Sequence, residues 1–185
     1  MQAVGKHYPG HGGGNVDSHL ALPTDTRRFA DIQMEDLVPF ARMIQHGLAG
    51  IMAAHVVYSD VDMQPAGFSR FWLQQQLRGE LGFQGAIFSD DLSMAAAGCI
   101  GDYPARAQAA LQAGCDMILV CNCPAGADAV LERLADYRDP AGQMRLARLH
   151  GRRGMDWTEL HASADWQRSV AAVGSYDDAP LLDMD

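Results

Sequence analysis

No stretch of this 185-residue chain approaches the roughly 18 consecutive apolar residues of a membrane-spanning helix, and the amino terminus lacks the basic-then-apolar layout of a secretory signal. Nor does any block of lysine and arginine offset the formal net charge of −9. A field of that sign repels polyanions, so neither nucleic acid nor membrane is an expected partner, and a cytoplasmic location is the default expectation. Cysteine is sparse, limited to Cys99, Cys115, Cys121 and Cys123. These lack the even, loop-rich framing of a disulfide scaffold and suggest small buried thiols kept reduced. The C-x-C pair at Cys121 and Cys123 has no second pair to complete a zinc signature.

What is present suits a single globular domain: 48% of residues are hydrophobic and 20% charged, enough apolar material for a core. Short apolar runs alternate four times with segments of helical spacing. The runs are "QAVGKHY", "GIMAAHVVY" (50–58), "GAIFSD" (85–90) and "DMILVCN" (116–122), a βα pattern. Their near-continuous apolar content predicts parallel strands buried on both faces. Between them, 34–48 has helical periodicity with Pro39 in its first turn, and Ser69 is placed to cap a helix bearing Phe71, Trp72, Leu73 and Leu77. Asp102 with Pro104 starts a helix ending near Gly114, and Pro124 opens the next.

After about residue 138 the strand signal stops. Two further helices are expected on either side of Gly151 to Gly154, the last beginning at Thr158 and Glu159. The chain therefore divides into a βα region, 1–137, and a helical extension of the same domain, 138–185. Trp72, Trp157 and Trp166 fall on or beside helices and suggest outer packing, while His46, His150 and His161 suggest solvated helix positions.

Parallel βα proteins place ligands at the carboxyl ends of their strands. The polar residues there are Lys6 and His7, His55, Ser89 with Asp90 and Asp91, and Asn122. Asp90 emerges from a rigid apolar strand and suits a nucleophile, a base or a metal ligand, with Asp91 left to cap the following helix. His55 is balanced between a hydrogen bond inside the barrel and a role in shaping the site.

The stretch "GKHYPGHGGGNVDSH", residues 5–19, admits three chemistries. A phosphate loop is the weakest, for lack of a G-K-[ST] ending. A metal site could draw on His7, His11, His19 and His55 with Asp17 and Asp90, although the spacing matches no zinc signature. The third is a dyad in which Asp17 orients His19, a group able to give and retake a proton near neutral pH, on an arm freed by Gly12, Gly13 and Gly14.

That stretch, with "IMAAHVVYSDVD", "LGFQGAIFSDDLSM" and "AGCDMILVCN" in this order, closely resembles the bacterial β-N-acetylhexosaminidases of glycoside hydrolase family 3, from residue 1 to about 170. The resemblance implies an α/β fold of the (β/α)₈ TIM-barrel type and a retaining double displacement without metal or other cofactor. By it, Asp90 is the nucleophile, His19 the acid/base, Asp17 its orienting partner, and Lys6 and His7 binders of N-acetylglucosamine. It further implies a cytoplasmic enzyme that removes N-acetylglucosamine from muropeptides in peptidoglycan recycling. A histidine in place of the usual second carboxylate repels an incoming anion less, which leaves phosphate open beside water as acceptor.

Four βα units are half of such a barrel, taken here as the C-terminal half, plus C-terminal helices. The missing half-barrel would come from further chain or from a second copy, and weak or no activity is expected of this chain alone. Two alternatives remain open: a metal-dependent barrel hydrolase using the histidines, and a non-catalytic sugar-binding half-barrel.

Overall fold

A computed structural model describes residues 2–11, 21–151 and 154–177. The chain forms two compact units, Met1–His150 and Gly151–Asp185. The first holds seven strands among the described residues: β1 (Val4–Tyr8), β2 (Thr24–Asp25), β3 (Gly50–Ala53), β4 (Val57–Tyr58), β5 (Asp62–Pro65), β6 (Ala86–Asp91) and β7 (Met117–Leu119).

Four of them make the main sheet, in the order β1-β3-β6-β7 and parallel throughout. Each strand pairs with the next one of the same sheet in the chain, the sequential winding of a barrel rather than of a doubly wound sheet. The four apolar runs of the sequence are the origin of these strands.

The register separates the two faces. Gly5, Ile51 and Ile87 lie in one row, and Ile51 and Ile87 are fully buried under the helices. Gly5 carries no side chain because a Cβ there would meet Leu48 at 3.0 Å and Met43 at 3.2 Å. Val4 and Phe88 meet over Gly50 on the other face, each 3.0 Å from where its Cβ would stand. There Val4 and Met117 remain 42% and 39% exposed, and Met52 and Phe88 are only half-buried. The expectation of burial on both faces is thus corrected: among the described residues only one face is covered.

The helices start where side chains can satisfy their free N–H groups. Ser69 Oγ accepts from Trp72 N at 3.1 Å and donates to Asp62 Oδ2 at 2.6 Å, opening the helix Phe71–Glu80, which is wound wide enough that Leu81 N–H reaches Gln76 O. Its Trp72, Leu73 and Leu77 are fully buried. Trp72 is therefore core, touching Tyr8, Phe29, Tyr58 and Phe71, and not outer packing. Asp102 caps Tyr103–Ala113 through Ala105 N, and Gly114 ends it at φ 123°. In Leu37–Gln45, Pro39 occupies the first turn, where its missing N–H costs nothing.

Helix Pro140–Ala147 belongs to the first unit, held by Arg145, whose Nη1 donates to Asp116 Oδ1 at 2.8 Å. Asp116, its side chain 1% exposed, also accepts from Arg78 Nη2 and from Ile87 N, each at 2.8 Å. Arg78 in turn donates to the carbonyls of Phe83 and Gly85.

Two elements escape the sequence pattern. The run 50–58 is not one strand: it ends at Ala53, passes the buried His55, and resumes as β4 in a second sheet ordered β2-β4-β5. In the second unit the last helical segment is broken at Ser163 into Trp157–Ala162 and Ala164–Asp177. Its start is capped by Asp156 with Glu159, not by Thr158. His161 is also not simply solvated, since its ring lies 4.0 Å from that of Trp157 and 4.4 Å from that of Trp166. No helix among the described residues is long and apolar enough to cross a membrane.

Candidate functional site

The carboxyl ends of β1 and β6 bring His7 and Asp90 together. His7 Nε2 lies 3.7 Å from Asp90 Oδ2, with the side chains 31% and 14% exposed. An imidazole and a carboxylate at this distance, reachable from solvent yet partly buried, can bind polar groups of a ligand. Lys6 stands beside His7 on the wall of a cavity of 540 Å³ that also touches Gly10, His11 and Arg27. The Lys6–His7 and Tyr8–Pro9 peptide bonds are both cis.

The two aspartates at the end of β6 divide as expected, with one correction. Asp90 accepts only Asp91 N–H, through Oδ1, among its hydrogen bonds with described residues, and its Oδ2 faces His7. Asp91 accepts from Ser93 N at 2.9 Å, Ser93 Oγ at 2.5 Å and Cys121 N at 3.0 Å. It ties a turn and the end of β7 to β6 rather than capping a helix, because the following 3₁₀ turn starts at Met94 without a side-chain cap. Burial would raise its carboxyl, but the Ser93 and Cys121 donors outweigh that and hold it below the ordinary carboxylate range.

Ser89 is fully buried and accepts from Leu119 N at 3.0 Å, which makes it part of the sheet rather than of the rim. His55 is also fully buried, stacked on Phe68 with ring centres 5.0 Å apart and planes 3° from parallel. Neither ring nitrogen attains hydrogen-bond geometry with a described residue. Burial lowers its pKa, against the opposing pull of Asp90 and of the backbone of Asp91 and Asp90. His55 is thus a buried, neutral group close enough to the end of β6 to feel Asp90 and Asp91. Asp17 and His19 lie outside the described residues.

The histidines do not assemble. His7 and His11 rings are 6.0 Å apart, whereas His55 is enclosed against Phe68. Among the described residues no group of three or more His, Cys, Asp or Glu side chains is placed to hold a metal ion. The cysteines also depart from expectation: only Cys115 is buried, and Cys99 and Cys121 are exposed.

Four residues beside the site carry no signal that composition or spacing offers: Asp25, Arg27, Asp36 and Tyr58. Arg27 donates to Asp25 through Nε at 3.0 Å and Nη2 at 2.7 Å, and its Nη1 lies 2.8 Å from Asp36 Oδ2. Burial would raise the Asp25 carboxyl, and the Arg27 hydrogen bonds bring it below its usual value.

A sequentially wound parallel sheet with Lys6, His7 and Asp90 at the carboxyl edge defines a barrel-type α/β protein whose site sits where such folds place their ligands. The model of the glycosyl hydrolase family 3 N-terminal domain matches residues 1–147. The chain belongs to glycosyl hydrolase family 3. Because the matching domain is the family's N-terminal one, the expectation of a C-terminal half is replaced by a portion of that N-terminal domain.

The chain is 60% identical to a beta-hexosaminidase of Thioalkalivibrio sulfidiphilus over 185 residues, all of this chain and 53% of that one. It is 51% identical to a beta-hexosaminidase of Methylococcus capsulatus, over 97% of this chain and 54% of the relative. Among solved structures it is similar to NagZ from Neisseria gonorrhoeae in complex with N-trifluoroacetyl-D-glucosamine: TM-score 0.84, 39% identity, 95% of this chain and 50% of that one. The chain spans about half the length of the curated relatives it matches.

Proposed function

We propose that this chain carries the nucleophile and sugar-binding residues of a retaining β-N-acetylhexosaminidase that releases terminal β-linked N-acetylglucosamine from muropeptides in peptidoglycan recycling, in the cytoplasm. The observation that carries the reading is the pairing of His7 with Asp90 at the carboxyl edge, with Lys6 alongside. Identity of 50–60% to beta-hexosaminidases supports it, as does a relative crystallised with an N-acylated glucosamine.

Asp90 attacks the anomeric carbon through Oδ2, the oxygen that faces His7, and forms a covalent glycosyl-enzyme as the glycosidic bond breaks. His19, oriented by Asp17, protonates the leaving oxygen and then takes a proton from the water that releases the sugar. Lys6 and His7 hold sugar hydroxyls, and His7 stands beside the Asp90 carboxylate and aims it. The remaining strands of the barrel are supplied by further chain or a second copy, and this chain alone turns over weakly or not at all.

Two measurements test this. A fluorinated N-acetylglucosamine donor that traps the intermediate is expected to add its sugar to Asp90, and adduct formed on any other residue sinks the assignment. Release of 4-nitrophenol from its N-acetyl-β-glucosaminide is expected to be far below that of a relative of full length, and comparable turnover refutes the need for the other strands. Product analysis in phosphate buffer separates free sugar from sugar phosphate.

A further inference from the structure

The strand that carries Asp90 ends in a stretch its neighbours hold unevenly. Pairing of β6 with β3 stops at Phe88 opposite Met52, and against β7 the register of β6 is irregular between Phe88 and Asp91. Asp90 lies inside that irregular stretch. A break in register re-aims the side chains within it, so the direction of the Asp90 carboxylate depends on what fixes the main chain there. From the β7 side, Cys121 N and Ser93 tie the Asp91 carboxylate. On the other side β3 has ended at Ala53, and the chain beyond it bonds elsewhere. Ala54 N donates to Tyr8 O at 2.8 Å, while Ala54 O and Val56 O accept from Gly67 N at 2.9 Å and Ala66 N at 2.8 Å.

His55 lies between those two carbonyl-bonded residues, fully buried, and its ring is fixed from two directions. Phe68 lies parallel to it at 5.0 Å, and Gly67 leaves room for its edge, since a Cβ there would stand 3.2 Å from Nδ1. Burial pushes the His55 pKa down; against that, the Asp90 charge and then the main chain of Asp91 and Asp90 pull it up. A main-chain group that acts in this direction is a carbonyl oxygen, which favours a nitrogen bearing a proton. The approach falls short of an aligned hydrogen bond. A neutral imidazole nevertheless has one N–H to place, and leaving it unbonded in the interior costs more than the small ring rotation that aligns it. Leucine or phenylalanine would pack on Phe68 as well, and what histidine adds is that donor.

We propose that the His55 imidazole donates its N–H to the main-chain carbonyl of Asp91 or Asp90, and that it is a positioning residue for the nucleophile, pinning the irregular end of β6 from which the Asp90 carboxylate is aimed. His7 acts on the carboxylate itself, and His55 on the main chain that carries it. The catalytic consequence rests on the glycosidase reading; the hydrogen bond does not.

The test uses the whole chain, isotope-labelled, as wild type and as His55→Phe, which keeps an aromatic ring against Phe68 and removes the donor. At neutral pH the wild-type ring is expected to carry one N–H, with a scalar coupling across the hydrogen bond to the carbonyl carbon of Asp91 or Asp90. Coupling to neither carbonyl overturns the proposal, and this reading stands whether or not the variant folds. Three-bond couplings are expected to show one χ1 rotamer for Asp90 in wild type and averaging in His55→Phe, with the amide shifts of β1 and β3 retained. A single unchanged Asp90 rotamer in the variant overturns the positioning role. At saturating fluorinated donor, the rate of labelling Asp90 is expected to fall roughly 10- to 100-fold in His55→Phe while the half-saturating concentration stays within about threefold, because misaim affects attack more than binding. Partial unfolding lowers the amount labelled and not this rate, and a rate equal to wild type also overturns the role. Wild type labelled on another residue refutes the glycosidase reading, while the coupling still decides the hydrogen bond.

Discussion

His7 and Asp90 face each other at 3.7 Å across the intervening strand β3, from positions two strand–helix units apart in the chain. Their side chains bring together the carboxyl ends of β1 and β6, while His55, buried after the end of β3, stacks on Phe68.

On the proposed glycosidase reading, His7 is a determinant of sugar affinity. His7→Asn is expected to weaken binding of N-acetylglucosamine about 10- to 100-fold, the loss that accompanies removal of one hydrogen bond involving a charged group. Titration calorimetry checks it, and affinity within twofold of wild type rejects His7 as a sugar contact.

Lys6 is the only lysine in the sequence, which isolates its chemistry. Acylation by an amine reagent, followed by proteolysis and mass spectrometry, is expected to modify Lys6 and the terminal amine, with N-acetylglucosamine slowing only the former. Equal protection of both, or of neither, contradicts a place for Lys6 in the sugar site.

Asp116 predicts an asymmetry in stability. Its replacement by alanine leaves Arg78, with a side chain 10% exposed, without its carboxylate, and is expected to cost about 3–5 kcal/mol. Arg145→Ala removes a partner that is 27% exposed while Arg78 stays in place, at a cost of about 1 kcal/mol or less. Urea unfolding of both variants decides it, since equal losses contradict the argument.

His55 gives stability a pH dependence of definite sign. Burial keeps the ring neutral in the fold, with its pKa below the ordinary 6.5, while the unfolded chain takes up the proton freely. Stability attributable to His55 is therefore full above about pH 6.5 and is lost progressively as pH falls toward the folded-state pKa. The difference between wild type and His55→Gln in denaturant midpoint is expected to shrink from pH 7.5 to pH 5.5. A difference that grows on acidification reverses the sign and the argument with it.

Much of this architecture is legible in the sequence, for identifiable reasons. The short apolar runs ending in Lys6-His7 and Ser89-Asp90 read as strands with polar carboxyl ends, the first the less distinct because only Ala3, Val4 and Gly5 precede Lys6, and Asp102-Tyr-Pro104 announces a helix start. The small sheet is not legible, because β2 and β4 are two residues each and their pairing is chosen by tertiary contacts rather than by side-chain alternation. The burial of Trp72 is not legible for a related reason: a helix of uneven winding does not keep the 3.6-residue period by which a buried face is recognised. The Arg27 node was hidden because its partners, Asp25 and Asp36, meet only once Gly10 has brought a third segment against them.

Sequential winding has a consequence for how the molecule is made. As the chain leaves the ribosome, β1 finds its neighbour β3 before β6 exists, and β6 meets a finished edge before β7 is synthesised. Sequential winding permits assembly by accretion, each new unit having its neighbour already in the chain before it. Among the described residues β7 is an open edge of the sheet, and Val4 and Met117, in different rows of one face, mark the surface that the rest of the fold leaves uncovered there.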